Sequence, residues 1–344
     1  MLQQTQVAVV LPYWTAFLAR FPTIEALAAA PQDAVLTAWK GLGYYGRARN
    51  LHRAAQVVAQ EHAGRLPDTL EALKELPGFG PYTAGAVASI AFGREAPIVD
   101  GNVARLFARL FEVEGPPGER AREKQLWAHA TALVKGPRPG DLNQSLMELG
   151  ATVCRPEAPQ CPACPVRAHC GALSHGRVDE LPPPKVRRAP TPLRLAVAVW
   201  QRKDRFLLAR RVDRGLFGGL WELPTAPLGE DDTPVGAEAG LSLVLGTKLT
   251  LGPGLGRIER TLTHRALTLE LFPVRAGRAP KSPGDGYVEQ AWCTADEARA
   301  LGMSTAMTHA LDLALRRSRT PQPIARPEVA TPLSAPGQRR RRAG

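Results

Sequence analysis

The spacing of apolar residues changes along the chain, and this change limits the folds that the sequence can adopt. Over residues 5–154 apolar side chains recur at helical spacing, whereas the later segment RTLTHRALTLELFPV alternates polar and apolar residues with a period of two, as a strand does. Between these regions, residues 176–192 contain three consecutive prolines and no apolar periodicity. We therefore expect a multidomain chain, with an all-α domain over residues 1–175, a linker over residues 176–192 and an α+β domain over residues 193–318.

The first domain is predicted to be almost entirely helical. The earliest apolar stripe already begins at Leu2 with no capping residue before it, so we expect the chain to open inside a helix. Residues 319–344 are rich in Pro, Ala and Arg without periodicity and are predicted to be a disordered basic tail. The further predicted helices cover residues 34–40, 48–62, 69–76, 82–92, 103–111 and 121–134.

The charge balance points to a polyanionic partner. The chain has 44 Lys and Arg against 32 Asp and Glu, a formal net charge of +12, and such an excess favours binding to nucleic acid. Part of it lies in the arginine run at residues 339–342, which is as typical of a solvated chain end as of a binding element. Because the sequence has no long apolar span and no secretory signal pattern, we expect a cytoplasmic location, at the nucleoid if the cell is bacterial.

Four of the five cysteines are clustered in one short segment. Cys154, Cys161, Cys164 and Cys170 are separated by six, two and five residues, a spacing that can bring four thiolates around one centre. Zinc and an iron-sulfur cluster both accept four thiolates, but zinc sites more often use two separated pairs. The segment therefore predicts a metal centre rather than disulfides, and Cys293 is interpreted as a core residue.

A glycine-rich turn and a carboxylate form the second candidate site. Gly78 and Gly80 lie between two predicted helices, where glycine permits a tight turn and a close approach of backbone N–H groups to a phosphate; an ordinary helix–helix turn is the alternative. Asp100 follows Tyr82 by eighteen residues, so one helix and a loop can return its carboxylate to the same place. A fixed carboxylate stabilises the positive charge that develops when an N-glycosidic bond breaks, and Asp100 is also suited to cap the helix after it.

These motifs resemble a known family. The cysteine spacing resembles the four-iron four-sulfur loop of the endonuclease III and MutY glycosylases, and the glycine turn with Asp100 resembles their helix-hairpin-helix signature. Where strand-cutting members carry a Schiff-base lysine, this chain has Tyr82, which resembles the MutY branch. The resemblance implies a monofunctional adenine DNA glycosylase with a 4Fe-4S cluster, acting on double-stranded DNA that carries adenine opposite 8-oxoguanine or guanine.

The same resemblance implies roles for individual residues. Segments like MLQQTQV and GLGYYGRARNL read 8-oxoguanine in the family and fill the stack after the adenine flips out, although the two tyrosines alone are also typical of a core. The extruded adenine is expected in one pocket near Asp100, Tyr82 and Gln144. The implied catalytic set is Asp100, Tyr82 and Asn102, and the implied DNA contacts in this domain are Gln4, Thr5, Leu42, Tyr44, Gly78, Gly80 and Gln144.

The second domain resembles a Nudix fold without its hydrolytic residues. Residues 219–241 can be laid on the Nudix box, but the glutamate positions hold Thr225, Pro234 and Ala237 and only Glu238 remains, too few carboxylates for a magnesium site. The segment RTLTHRAL resembles the loop by which MutY second domains recognise 8-oxoguanine. Thr263 and His264 are therefore implied DNA contacts, with a plain exposed β-hairpin as the alternative.

One expectation concerns the general acid. In the family, the glutamate that protonates the leaving adenine lies two residues before the methionine of the MLQQTQ motif, which here is Met1. We therefore expect this glutamate upstream of Met1 and expect slow excision by the 344-residue form, because general acid catalysis contributes about 10²–10⁴-fold.

The alternative functions are a lesion-binding protein with impaired catalysis and a Nudix hydrolase with a DNA-binding appendage.

Overall fold

The first half of the chain folds as a helical domain. The structure is a computed structural model that describes residues 1–3, 5–184, 189–229 and 234–319. The helices are α1 Val7–Arg20, α2 Ile24–Ala29, α3 Gln32–Ala38, α4 Gly46–Glu61, α5 Leu70–Glu75, α6 Pro81–Ala86 with a π-helical continuation Val87–Ala91, α7 Gly101–Leu110, α8 Arg120–Leu133, α9 Pro139–Glu148 with a π-helical continuation Leu149–Val153, and α10 Gly171–Ser174.

The chain does not open inside a helix, so that prediction was wrong. Helix α1 begins at Val7, because Gln6 is extended and does not continue a helical turn towards the N-terminus. The residues before it are held from outside: the Gln3 amide donates to Thr83 Oγ1 at 2.9 Å, and the Met1 carbonyl oxygen accepts from Arg47 Nη1 at 2.8 Å. Gln4 lies outside the described residues.

Apolar packing fixes the position of the glycine turn and of Asp100. Helices α4, α5 and α6 share one buried cluster that includes Val58, Leu73 and Ala84. A second cluster joins α7 and α8 through Phe107 and Leu126 and includes Ile98, two residues before Asp100. Because close-packed side chains leave little freedom of movement, these two clusters fix the positions of the turn and of the Asp100 carboxylate within the domain.

The second half forms two sheets with helices packed against them, the fold class that the sequence predicted. The strands are β1 Thr191–Val199, β2 Gln201–Arg202, β3 Arg205–Arg211, β4 Trp221–Glu222, β5 Thr225–Leu228, β6 Leu249–Leu251, β7 Gly256–Thr261, β8 Arg265–Gly277 and β9 Tyr287–Thr294, and the helices are α11 Pro234–Val244, α12 Ala295–Arg299 and α13 Thr305–Arg319. One sheet has the order β5-β1-β8-β6 with β7 also on β8, and the other has the order β2-β3-β4 with β9 on β3. Strands β1 and β8 are parallel, and their pairing begins at Thr191 with Arg265, two residues before the expected start of the domain.

The first part of the expected linker packs against the helical domain. Leu181 is buried, and its carbonyl oxygen accepts from Arg109 Nε at 2.7 Å. Arg177 forms ion pairs with Glu112, Glu114 and Glu180. Residues 185–188 and the predicted tail from residue 320 onwards lie outside the described residues. No helix in the described ranges is long and apolar enough to cross a membrane.

The two domains are docked through the loop between β3 and β4. Leu220 is buried in the core formed by α1, α3 and α4, and Phe217 packs against that core and against the core of the second domain. Polar contacts surround them: Gln32 Nε2 donates to Asp213 Oδ1 at 2.8 Å, and Tyr45 Oη donates to the Met303 carbonyl oxygen at 3.2 Å. The domains therefore share one continuous packed region.

This docking predicts a specific loss of stability. Leu220 is 1% exposed, so Leu220→Ala should lower the free energy of unfolding by about 2–5 kcal/mol, measured by urea denaturation. Leu216 lies in the same loop but is 38% exposed, and Leu216→Ala is the matched control with an expected loss below about 1 kcal/mol. Equal losses in the two variants would show that Leu220 does not join the domains.

Candidate functional site

The predicted glycine turn is present between α5 and α6. Gly78 has a φ of +83°, which strongly favours glycine, and Gly80 is the N-cap residue of α6. A Cβ atom on Gly78 would lie 2.6 Å from Asn50 Cβ, so a side chain at this position would also collide with α4. The turn therefore needs glycine, and it places the N-terminal end of α6 at the surface, where backbone N–H groups favour an anion.

Asp100 is held at the N-terminus of α7 by two hydrogen bonds. Its Oδ1 accepts from the Val103 backbone N–H at 2.7 Å, and its Oδ2 accepts from Asn102 Nδ2 at 3.3 Å. The carboxylate thus caps the helix and is fixed in orientation at the same time, since these contacts leave it one principal rotamer. The structure brings Asp100 and Asn102 together as predicted.

A chain of hydrogen bonds connects Asp100 to the cysteine segment. Asn102 Oδ1 accepts from Arg105 Nη2 at 2.9 Å, and Arg105 Nε donates to the Cys154 carbonyl oxygen at 2.8 Å. Arg105 Nη2 also donates to the Gly150 carbonyl oxygen at 2.7 Å. Arg105 therefore links the Asn102 side chain to the backbone at Cys154. Because Asn102 also bonds Asp100, the Asp100 carboxylate belongs to the same chain of hydrogen bonds.

Tyr82 lies close to Asp100, and each of the two residues lines a cavity. Burial and the nearby Asp100 carboxylate raise the pKa of Tyr82, and its hydroxyl donates to Met147 Sδ at 3.4 Å. Tyr82 lines a cavity with Trp14 and Leu51, whereas Asp100 lines a second cavity beside the proline segment 182–184. The expected common pocket for the flipped adenine therefore remains a prediction.

Gln144 is not brought to Asp100 by the contacts that the structure describes. Its side chain is exposed on α9, and its Nε2 donates to the Gly140 carbonyl oxygen, one turn earlier, at 3.3 Å. The neighbouring Asn143 is buried and bonds Ser89 Oγ and the Ala96 carbonyl oxygen. The role of Gln144 towards adenine remains a prediction.

The candidate lesion-reading residues Leu42 and Tyr44 have different environments. Tyr44 is 49% exposed and has a φ of +46°, so its ring projects from the loop before α4. Leu42 is only 6% exposed and packs in the core of α1, α3 and α4. The expectation that Leu42 fills a base stack is not supported by this placement, because the core already takes up its side chain.

A residue from each domain meets at the predicted lesion-reading surface. The Tyr44 hydroxyl lies 2.5 Å from Thr263 Oγ1, a hydrogen-bond distance in which either group is able to donate. Thr263 and His264 are exposed in the turn between β7 and β8. Tyr44 and Thr263 were identified from two separate sequence motifs. They lie 219 positions apart along the chain and are in direct contact.

The four clustered cysteines line one enclosed cavity. Its other walls are apolar and include Leu106, Val153 and Leu173, and the guanidinium of Arg109 donates to Cys154 Sγ at 3.4 Å. Within the described ranges, no group of three or more His, Cys, Asp or Glu side chains is gathered tightly enough to hold a single metal ion, and this includes the four thiols. Cys293 is buried in the core of the second domain, as predicted.

The polar residues of the Nudix-like segment bond to one another. Glu222 is buried, and its Oε1 accepts from Arg211 Nη1 at 2.7 Å, from Thr225 Oγ1 at 2.9 Å and from Tyr287 Oη at 2.7 Å. Burial and the Glu222 carboxylate raise the pKa of Tyr287. Glu238 accepts the Leu251 backbone N–H at 2.9 Å. These carboxylates therefore serve the packing of the domain.

Three arginines near the site were missed by the sequence reasoning. Arg105 and Arg109 are four residues apart in NVARLFAR and so share one face of α7, and this spacing was a signal that both face the cysteine segment. Arg47, in YYGRAR, donates to Met1, Gln3, Thr5, Leu42 and Gly43. Four of these partners are backbone carbonyl groups, which leave no pattern in the sequence.

Comparisons with known proteins agree with the two-domain organisation. Residues 1–130 match the family described as HhH-GPD superfamily base excision DNA repair protein, and residues 195–313 match the NUDIX domain family. The chain is 35% identical to the adenine DNA glycosylase of Rattus norvegicus, over 97% of this chain and 74% of that protein. It is also 35% identical to the adenine DNA glycosylase of Homo sapiens, over 89% of this chain and 65% of that protein.

Solved structures with partial similarity include a thermostable thymine-DNA glycosylase, with 31% identity, a TM-score of 0.45 and coverage of 51% of this chain and 80% of that chain. Another is a non-covalent endonuclease III-DNA complex, with 25% identity, a TM-score of 0.42 and coverage of 50% of this chain and 79% of that chain. The extent and identity of the match to the rat protein, together with the two domain families in this order, establish that the chain belongs to the adenine DNA glycosylase family.

Proposed function

We propose that this protein removes adenine paired with 8-oxoguanine or guanine from double-stranded DNA by hydrolysing the N-glycosidic bond. The observation that carries the proposal is the Asp100 carboxylate, which two hydrogen bonds hold at the N-terminus of α7. A carboxylate fixed before the reaction stabilises positive charge on the sugar without reorganising in the transition state. The names of the matched relatives support adenine as the base that is removed.

The reaction is a substitution at C1′ of the 2′-deoxyadenosine. The bond between C1′ and the adenine nitrogen breaks, a water oxygen bonds to C1′ and releases one proton to solvent, and a proton from solvent reaches the departing adenine, so that an abasic site and free adenine result. Asp100 stabilises the oxocarbenium-like sugar between these events. Asn102 keeps the carboxylate turned towards the sugar by donating to its Oδ2.

Tyr82 makes the reaction a simple hydrolysis. A lysine at this position would supply an amine for a Schiff base with the sugar, whereas a phenol hydroxyl forms no such adduct. Burial and the Asp100 carboxylate raise the Tyr82 pKa, which keeps the phenol protonated and neutral beside the carboxylate. The enzyme therefore leaves the abasic strand uncut.

The lesion is read from both domains. Tyr44 projects a ring that is able to stack in the space left by a flipped base, and Thr263 places a hydroxyl next to it. Hydroxyl groups donate to and accept from base edges, so Thr263 and His264 suit the altered edge of 8-oxoguanine. Thr5 extends this surface from the N-terminal segment.

The four cysteines suit a 4Fe-4S cluster. Their thiols line one largely apolar cavity, and Arg109 supplies positive charge at Cys154 Sγ. When bound, the cluster supplies a structural cross-link through Cys154, Cys161, Cys164 and Cys170. The chain itself places the exposed residues Arg167 and His169 on this loop, where they suit contacts to the DNA backbone.

The proposed function is tested by incubating the protein with duplexes that carry adenine opposite 8-oxoguanine, guanine or thymine, followed by alkali cleavage of abasic sites. We expect cleavage of the first two duplexes and none of the third.

In Asp100→Asn, excision should fall by about 10²–10³-fold while binding to the lesion duplex is kept, because the charge acts on the transition state. Asp141→Asn removes an exposed carboxylate from α9 and is the control. Unchanged turnover in Asp100→Asn would refute the assignment.

The metal centre is tested by analysis of the anaerobically purified protein. We expect about four iron and four sulfide per chain and broad visible absorption, because four thiolates on one loop favour this cluster. Cys161→Ser should lose most of the iron, whereas Cys293→Ser, the control in the second domain, should keep it. Zinc without iron in the unmodified protein would contradict the proposal.

A further inference from the structure

Arg47 lies in the first turn of α4, between two segments that carry lesion-reading candidates. Its Nη1 donates to the carbonyl oxygens of Met1, at 2.8 Å, and of Gln3. Its Nη2 donates to Thr5 Oγ1 at 3.3 Å. The first two contacts hold the backbone at Met1 and Gln3, and the third orients the Thr5 hydroxyl.

The same guanidinium holds the loop that carries Tyr44. Its Nη2 donates to the Leu42 carbonyl oxygen at 3.2 Å and to the Gly43 carbonyl oxygen at 3.5 Å. The guanidinium carbon lies 5.4 Å from the centre of the Tyr44 ring and 5.5 Å from that of Trp39, both cation–π distances. One side chain therefore contacts two separate segments and the aromatic ring that projects from one of them.

Only arginine has the geometry for this set of contacts. A guanidinium offers five N–H donors in a planar fork, whereas a lysine ammonium offers three around one point. Burial lowers the pKa of Arg47, yet a guanidinium remains charged throughout the physiological range. A lysine at this position would keep the charge while losing the simultaneous contact with both segments.

We propose that Arg47 is the positioning residue that sets the preference for 8-oxoguanine, because it holds the N-terminal segment and the Tyr44 loop at a fixed spacing from each other. This inference rests on the proposed reading of 8-oxoguanine. Arg47 itself contacts protein groups, and it affects recognition of the base through Thr5 and Tyr44. Segments that are ordered before binding do not lose conformational entropy when DNA binds. Arg47 therefore strengthens binding of the lesion duplex and leaves the rate of bond breaking unchanged.

The test is the concentration dependence of single-turnover excision, which separates the apparent Kd from the maximal rate. In Arg47→Lys, the apparent Kd for adenine opposite 8-oxoguanine should rise about tenfold, as expected for the loss of one to two hydrogen bonds to a charged donor, with a smaller rise for adenine opposite guanine. The maximal rate should stay within about threefold. Arg53→Lys, an exposed arginine on the same helix that bonds only Asn50 among its described contacts, is the control and should change neither quantity.

The outcomes separate this inference from the proposed function. A preference for 8-oxoguanine that is unchanged in Arg47→Lys overturns the role of Arg47, and so does a lower maximal rate with an unchanged preference, which is the behaviour of a merely structural residue. If the unmodified protein excises no adenine, the proposed function itself fails.

A second measurement does not depend on the folding of a variant. Hydrogen exchange at the Thr5 and Leu42 amides, which bond the Leu2 and Trp39 carbonyl oxygens, should show the same protection in the free protein and with lesion DNA. Protection that arises only with DNA would show that Arg47 does not order these segments in advance.

Discussion

The insertion of Phe217 and Leu220 from the second domain into the core of α1, α3 and α4 is the contact on which the rest of the arrangement depends. Apolar burial provides the attraction, and the hydrogen bonds around it, such as Gln32 with Asp213, fix the orientation. Because the loop is held at this point, the turn that carries Thr263 reaches Tyr44 on the other domain. A Nudix-like fold that keeps one carboxylate of its box thus places Thr263 next to Tyr44 of the helical domain.

Within the helical domain, polar contacts connect elements that apolar packing brings together. The bonds from Asp100 through Asn102 and Arg105 end at the Cys154 carbonyl oxygen, so the orientation of the carboxylate depends on where the cysteine segment lies. Arg109, one turn further along α7, bonds both Cys154 Sγ and the buried Leu181 carbonyl oxygen. The cysteine segment, the start of the linker and the Asp100 carboxylate are therefore held by two arginines on one helical face.

The sequence allowed the fold class to be predicted because both periodicities are local properties. The family resemblance proposed Asp100, Asn102, Tyr44 and Thr263 as site residues, and the structure places Asp100 in contact with Asn102 and Tyr44 in contact with Thr263, whereas their roles remain predictions. The burial of Leu42 was not predictable in this way, since it depends on how α1, α3 and α4 pack together.

Long-range contacts explain the remaining differences. The start of α1 at Val7 depends on Arg47 and Thr83, which lie far along the chain from the segment that they hold. The orientation of the Tyr82 hydroxyl involves Met147 of α9, 65 positions away along the chain. Periodicity and motif spacing carry no information about such partners, because a backbone carbonyl or a distant side chain accepts a hydrogen bond without any local pattern.

The claim that the two domains read the lesion as one unit is tested most directly by a double-mutant cycle on Tyr44 and Thr263. Tyr44→Phe and Thr263→Val each remove one hydroxyl of the contact between the domains, and the quantity measured is the ratio of single-turnover excision rates opposite 8-oxoguanine and guanine. We expect each single variant to lower this ratio and the double variant to lower it little further, with a coupling of about 1 kcal/mol. Additive effects, with no coupling, would contradict the account, because they would show that each domain reads the lesion independently.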